Sequence, residues 1–333
     1  MHPIISPYVS EVIGVGGYLP DTILTNNDLS PSLATSDEWI QTRVGIKQRH
    51  IAAEGEFTSH LAIKAARDAI FHAQQQHVLS QEDIDLVIVA TTTPDYTFPS
   101  TATLIQHHLG LKPCTAFDVQ AVCSGFLYAI HTADQFLRLG QAKCALVIGA
   151  ETMSRLLDWT DRSTCVLFGD GAGAFILRAK DAKGITAQSS YILGSRLYAD
   201  GSGYEALCTT GGPSQKSLGV IAMNGREVFK SAVVNMANAI EAVLTDFSWG
   251  TPYIDWVVPH QANQRILDSL AERLKLPSDK VISTIAHHAN TSAATIPLAF
   301  KEGVDDGRIQ KGQNIILTAM GGGFTWGATA LRY

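Results

Sequence analysis

Short runs rich in valine and isoleucine, apolar at nearly every position, recur at residues 12–15, 86–90, 145–148, 174–177, 256–258 and 315–317. A strand with one face in water alternates apolar and polar residues, whereas a strand covered on both faces does not. These runs therefore read as buried strands, and a sheet buried on both faces needs helices above and below it. The intervening sequence supplies them. Ser59 stands as an N-cap before Ala62, Ala66 and Ile70, which recur every four residues. Phe126, Ile130, Ala133 and Leu137 trace a second apolar stripe, and Ile266, Leu270 and Leu274 a third. Strands alternating with helices predict an α/β protein.

The strands also resemble one another in pairs. Residues 85–90 (DLVIVA) match 255–260 (DWVVPH), and 145–149 (ALVIG) match 315–319 (IILTA), both 170 positions further on. Equal offsets at two separated points predict two copies of one strand–helix unit, packed so that neither stands alone. On identity alone, chance likeness between apolar strands stays open as the alternative. Of the 333 residues, 46% are apolar and 17% charged, which gives material for a large core and excludes overall disorder. That length suits about two domains or halves, and we place them at residues 1–180 and 181–333.

A net charge of −6 argues against a general binder of nucleic acid or anionic membrane, so neither is expected as a partner. Any acidic partner would have to meet a local basic patch. The five cysteines are an odd number without a C-x-x-C pair, which suits neither a disulfide framework nor a zinc site and fits a reducing, cytoplasmic setting. The opening MHPIISPYVSEVIG lacks a basic segment followed by a long apolar run, so no signal peptide is expected. The longest apolar stretches, such as 144–150, fall far short of the roughly 20 residues that span a bilayer.

Three residues stand where chemistry is commonly placed. Cys123 lies between a strand-like segment and a helical one, and a thiol at a helix N-terminus is expected to have a lowered pKa. The alternative is a cysteine acting as a small hydrophobe. His260 closes the apolar run at 256–258, the C-terminal strand end where α/β proteins bind ligands; a hydrogen-bonded structural histidine is its alternative. Asn290 precedes a helix start, so it reads as a cap or as an amide donor to a developing oxyanion. His287 and His288 have no neighbouring carboxylate or cysteine in the sequence and read as structural or substrate-adjacent, so no metal is expected. Glycines 14–17 follow a strand but open no helix, which fails the context of a dinucleotide fold. Those at 169–173 and 321–323 read as turns that let backbone approach a substrate.

Read together, Cys123, His260 and Asn290 give the chain a resemblance to β-ketoacyl-acyl-carrier-protein synthase III, the condensing enzymes that start type II fatty-acid synthesis. The resemblance runs nearly end to end. It is carried by the runs 35–40 (TSDEWI), 45–50 (GIKQRH), 168–173 (FGDGAG), 259–263 (PHQAN), 290–294 (NTSAA) and 321–327 (GGGFTWG), in that order. It implies a thiolase-like duplicated five-layered α/β/α/β/α sandwich, with Cys123 and Asn290 in equivalent places of the two halves, 167 residues apart.

The same resemblance implies an acyltransferase. Cys123 would take a short acyl group, most simply acetyl, from acyl-CoA, and malonyl-acyl-carrier protein would then lose CO2 and attack the acyl-enzyme. Amides of Cys123 and Gly322 would form the oxyanion hole, while His260 and Asn290 would bind the malonyl thioester oxygen. Trp39 and Arg162 would stack on adenine, Arg43 would meet phosphate and Asn263 the pantetheine arm. Lys230, Arg265 and Arg273 are the candidates for docking the carrier protein. Phe98, sent across from the partner of a homodimer, would shorten the acyl pocket. No cofactor is implied, since acyl-CoA is a substrate. Met320 and Arg226 depart from the family pattern, at positions where many members have Phe and some have Asn. Two alternatives stay open: a relative using longer or aromatic acyl-CoA in secondary metabolism, and a non-catalytic module binding CoA or carrier protein.

Overall fold

Every apolar run becomes a strand. The strands β1 (Tyr8–Tyr18), β2 (Leu86–Ala90), β3 (Thr115–Val119), β4 (Cys144–Thr152), β5 (Asp170–Asp181), β6 (Tyr191–Ala199), β7 (Trp256–Pro259), β8 (Asn314–Gly321) and β9 (Thr325–Arg332) form one sheet, ordered β7-β8-β9-β6-β1-β5-β4-β2-β3. This computed structural model describes residues 6–29, 31, 33–186 and 188–333, so the first five residues of the segment read for a signal lie outside it. A lone residue pair, Glu11 opposite Tyr191, joins β1 to β6 among the described residues. The nine strands are thus two sheets meeting at a seam. The boundary expected at 180/181 falls at the last residue of β5.

Seven helices complete the layers: α1 (Asp37–Val44), α2 (Thr58–Gln76), α3 (Thr101–His108), α4 (Gly125–Arg138), α5 (Gly225–Asp246), α6 (Gln264–Leu274) and α7 (Thr295–Asp305). Side chains alternate faces along a strand, and here both faces meet helices. Ile13, Ile148 and Ile176 pack against Ala65 and Ala69 of α2 in one core. Their neighbours Val12, Val147 and Leu177 point the other way, into a second core with Phe126 and Ile130 of α4 and Ile296 and Phe300 of α7. A third core joins Val257 and Ile316 of the second sheet to Ile240 and Val243 of α5 and Leu270 of α6. Three cores between five layers are the α/β/α/β/α sandwich, and they explain why the strands are apolar throughout.

The repeat is reproduced in register. Leu86 lies opposite Ala145 in the parallel pair β2–β4, and 170 residues on Trp256 lies opposite Ile315 in β7–β8. The Asp85 carboxylate accepts from the Cys144 N–H at 3.0 Å, and Asp255 accepts from Asn314 at 2.8 Å. Val122 and Ser292, at the same offset, both have positive φ, 49° and 50°. At this offset Cys123 matches Ala293 and Asn290 matches Gln120. The expected equivalence of Cys123 with Asn290 is therefore corrected by three positions.

Two local expectations also change. Ser59 lies inside α2, whose N-cap is Phe57; its N–H and hydroxyl instead donate to the Asp95 carboxylate at 2.9 and 2.5 Å. The glycines read as turns at 169–173 enter β5, where a Cβ on Gly173 would lie 2.7 Å from Pro297 Cβ. The small size of Gly171 and Gly173 admits α7. Gly16 does the same for α2, since a Cβ there would fall 2.2 Å from the Ala69 backbone nitrogen.

Candidate active site

After β3 the chain makes a single 3-10 turn, Val122–Ser124, and continues directly into α4. Val122 sits in the left-handed region, which costs a branched residue about 1–2 kcal/mol. The turn is pressed against the glycine triplet: a Cβ on Gly321 would lie 2.7 Å from the Cys123 nitrogen. Cys123 is 3% exposed. Burial pushes its thiol up to about 12, the Ser292 hydroxyl beside it works downward, and the nearby Glu151 carboxylate works upward. The lowered pKa expected from the helix position is overturned, because burial outweighs it. The resting nucleophile is a thiol.

His260 follows β7, and its N–H donates to Thr318 O at 2.8 Å. Its Nδ1 lies 2.7 Å from Thr295 Oγ1. Burial depresses the imidazole to about 3, so it is neutral. Asn290 is tied to Phe168 by a parallel bridge, its Oδ1 accepting from the Ser292 N–H at 2.9 Å. The N-cap of the following turn is Thr291, so the oxygen closes an Asx turn and the cap reading is corrected by one position. Because the oxygen is engaged, the amide directs Nδ2, for which no acceptor is found among the described residues, as its free donor.

Ser292 connects the three. Its N–H donates to Asn290 Oδ1, its hydroxyl stands beside Cys123 and donates to Glu151, and its carbonyl lies 2.9 Å from the Thr295 hydroxyl, which also contacts His260. A thiol, a neutral imidazole and a carboxamide donor are therefore held around one short turn. Ser292, Thr295 and Glu151 were not singled out in the sequence. Ser292 and Thr295 lie in or beside the 290–294 run, but the burial of Glu151 at the end of β4 has no local signature.

A cavity of about 150 Å³ beside Cys123 is lined by Gln120, Met153, Leu156, Phe168, Leu207 and Cys208, among others. It shares Thr92, Gln120, Leu156 and Thr209 with a wider cleft of about 650 Å³ that takes in Asp95 and Tyr96. Phe98, 83% exposed, lines neither space within its own chain. Trp39 packs at the edge of the cluster holding Leu156, Phe168 and Ile221. The Arg162 guanidinium lies 5.1 Å from the Trp39 ring centroid and donates to Ala34 O. At that separation the guanidinium is in direct cation–π contact with the ring, so this pair is closed on itself. Arg43 is exposed in the last turn of α1, and Asn263 caps α6 through its bond from the Arg265 N–H at 2.9 Å.

Lys230, Arg265 and Arg273 are exposed on the adjoining helices α5 and α6, Arg265 lying over the Phe229 ring and Arg273 3.4 Å from Asn238. Met320 is buried, its sulfur 3.7 Å from Asn235 Nδ2, and Arg226 is exposed at the start of α5. His287 and His288 do have a carboxylate neighbour, contrary to the sequence reading. One Glu302 oxygen lies 2.7 and 3.2 Å from their Nε2 atoms, and Arg308 holds the other at 3.1 Å.

A duplicated sandwich with a buried cysteine at the mouth of its central helix defines the thiolase-type fold. The family model described as 3-oxoacyl-[acyl-carrier-protein (ACP)] synthase III matches residues 117–201, and that of its C-terminal part matches 244–333. The chain is 54% identical to the β-ketoacyl-[acyl-carrier-protein] synthase III of Rhodospirillum centenum over 98% of this chain and all of that protein. It is 56% identical to that of Erythrobacter litoralis, over 97% and 99%. The crystal structure of 3-oxoacyl-[acyl-carrier-protein] synthase III from Aquifex aeolicus superposes with a TM-score of 0.90 at 48% identity, covering 97% of this chain and all of that one. The chain belongs to the 3-oxoacyl-[acyl-carrier-protein] synthase III family, and it is an acyltransferase of the condensing type. No helix of the described residues is long and apolar enough to cross a membrane.

Proposed function

We propose that the protein initiates type II fatty-acid synthesis by carrying a short acyl group, acetyl in the simplest case, from acyl-CoA to malonyl-acyl-carrier protein. Cys123 attacks the thioester and stores the acyl group, splitting a difficult carbon–carbon bond formation into two steps. Malonyl-carrier protein then loses CO2, and its carbanion attacks the acyl-enzyme to give 3-oxoacyl-carrier protein. The observation that carries this reading is the turn at Ser292, which lies beside the thiol, is bonded to the carboxamide and reaches the neutral imidazole through Thr295.

The division of labour follows from these groups. Amides of Cys123 and Gly322 hold the acyl oxyanion. His260 Nε2 and Asn290 Nδ2 donate to the malonyl thioester oxygen as charge develops on it, each donor being worth about 3–4 kcal/mol when water is excluded. A neutral imidazole does this without first taking a proton from solution. CoA enters as a substrate and no cofactor is required. Arg162 swings off Trp39 to admit adenine between them, Arg43 meets phosphate, and Asn263 meets the pantetheine arm through its remaining amide hydrogens. Lys230, Arg265 and Arg273 form a local basic face for an acidic carrier protein on a chain of net charge −6. Phe98 fills the open side of the cavity in a second copy of the chain, making the working unit a cytoplasmic homodimer.

Incubation with labelled acetyl-CoA should place the label on the peptide carrying Cys123, and malonyl-carrier protein should discharge it into product. Label elsewhere, or an adduct that never discharges, overturns the reading. His260→Ala should lose decarboxylation by about 100-fold while acyl loading persists; equal loss of both contradicts the proposed roles.

A further inference from the structure

A buried thiol must lose its proton before it can attack, and the hydroxyl set beside it is that of Ser292, while His260 turns its Nδ1 to Thr295. Beyond Ser292 stands Glu151, fully buried at the end of β4. Its carboxylate accepts from Ser292 Oγ at 3.0 Å, from the Thr92 N–H at 3.0 Å, from Thr92 Oγ1 at 3.0 Å and from Thr93 Oγ1 at 2.7 Å. Thr91 Oγ1 lies further out at 3.3 Å. No cation pairs with it among the described residues. An ionised carboxylate only accepts and this shell only donates, but burial outweighs it and raises the Glu151 carboxyl above its usual range, which makes it a stronger proton acceptor than an ordinary carboxylate. We propose that Glu151, acting through Ser292, is the proton acceptor that activates Cys123 for acyl transfer.

The direction of the bonds supports this. Ser292 has one hydroxyl hydrogen; given to Glu151, it leaves the serine oxygen as acceptor for the thiol. As sulfur attacks the acyl-CoA carbonyl, the Cys123 S–H bond breaks and its proton passes to Ser292 Oγ. The former serine proton passes to Glu151 Oε1. When the C–S bond to CoA breaks, the proton returns along the same path to the departing thiolate, so CoA leaves as a thiol and Glu151 is again ionised. One negative charge moves between two seats and none is added to a dry site. This step rests on the acyl transfer proposed above.

The groups facing the pair are few. The segment after β2 offers Thr91, Thr92 and Thr93, the turn before α7 offers Ser292, and β8 and β9 offer Gly321 and Thr325. Of the ionisable neighbours, His260 is neutral above about 3, and Asp170 of β5 is held by Ser154 and Ala52. The proton in question is therefore shared by Cys123 and Glu151 as a pair.

The test measures two rates in the intact protein. Iodoacetamide alkylation of Cys123 should be flat with pH around neutrality in the native enzyme, because the proton stays within the pair. In Glu151→Gln it should climb ~10-fold per pH unit, since the thiol must now lose its proton to water. Acetyl transfer from acetyl-CoA should fall ~100-fold in Glu151→Gln and equally in Ser292→Ala, with the double variant no slower than either. Greater reactivity to a small reagent at alkaline pH, alongside slower acyl transfer, is not what structural damage produces. Ser292→Ala leaves the threonine shell of Glu151 in place, and melting curves identify a misfolded variant. A native profile already climbing ~10-fold per pH unit, a flat one in Glu151→Gln, or native acetyl transfer in either folded variant overturns the relay. If the native enzyme takes no acetyl group on Cys123, the functional reading fails, and the alkylation profiles still decide the relay.

Discussion

Thr295 has one hydroxyl hydrogen and two acceptors, His260 Nδ1 at 2.7 Å and Ser292 O at 2.9 Å. Given to the histidine, it leaves the ring hydrogen on Nε2, where it can donate to an oxyanion; given to the carbonyl, it leaves Nε2 bare. Stabilising the decarboxylated malonyl thioester requires the first arrangement. Thr295→Val keeps the volume and removes this control, so decarboxylation should fall about 10- to 100-fold with acyl loading retained. Because burial holds His260 at about 3, the decarboxylation rate should show no inflection in the ordinary histidine range near 6.5. A stopped-assay pH series checks both.

Among elements, glycine decides how closely layers meet. A Cβ on Gly16 would fall 2.2 Å from Ala69 N and 2.4 Å from Ala65 O, both in the rigid backbone of α2. Gly16→Ala should therefore destabilise by about 3 kcal/mol, read as a lowered denaturant midpoint. At Gly321 the obstacle is the Cys123 amide. Gly321→Ala should cut acyl loading far more than it lowers the melting temperature, since it displaces the nucleophile at the edge of the core. The element-scale repeat was largely legible: the two offsets of 170 recur as the same strand pairings and the same aspartate contacts. Gly171 and Gly173 differ from the turn reading because a local pattern does not reveal which helix will lie against it.

At the scale of the molecule, Glu11 sits on the seam between the two sheets. Burial alone would raise its carboxyl, but Lys180 at 2.5 Å and Arg178 at 2.8 Å carry it below the usual range. Its contribution is thus present above the unfolded carboxylate pKa and lost as pH falls through the folded one. Both cations are partly exposed and screened, so Glu11→Gln should cost about 1–2 kcal/mol at neutral pH, and the difference should vanish in acid. His260 and His288, held by burial at about 3 and about 4, act over a higher range. Below about 6.5 the unfolded imidazoles take up protons that the folded ones refuse, so stability begins to fall there. Urea midpoints measured against pH for both proteins check these signs.

The amino-acid sequence by itself determined which segments become strands covered on both faces, that the chain repeats one unit, and that Cys123, His260 and Asn290 are its reactive candidates. Periodicity, offset and residue chemistry are local properties, and they survive folding unchanged. Tertiary structure alone decided that Cys123 rests as a thiol, that Glu302 joins His287 and His288, and that Glu151 meets Ser292 across 141 residues of chain. Burial and hydrogen-bond partners set a proton's position, and both arise only when distant segments pack together.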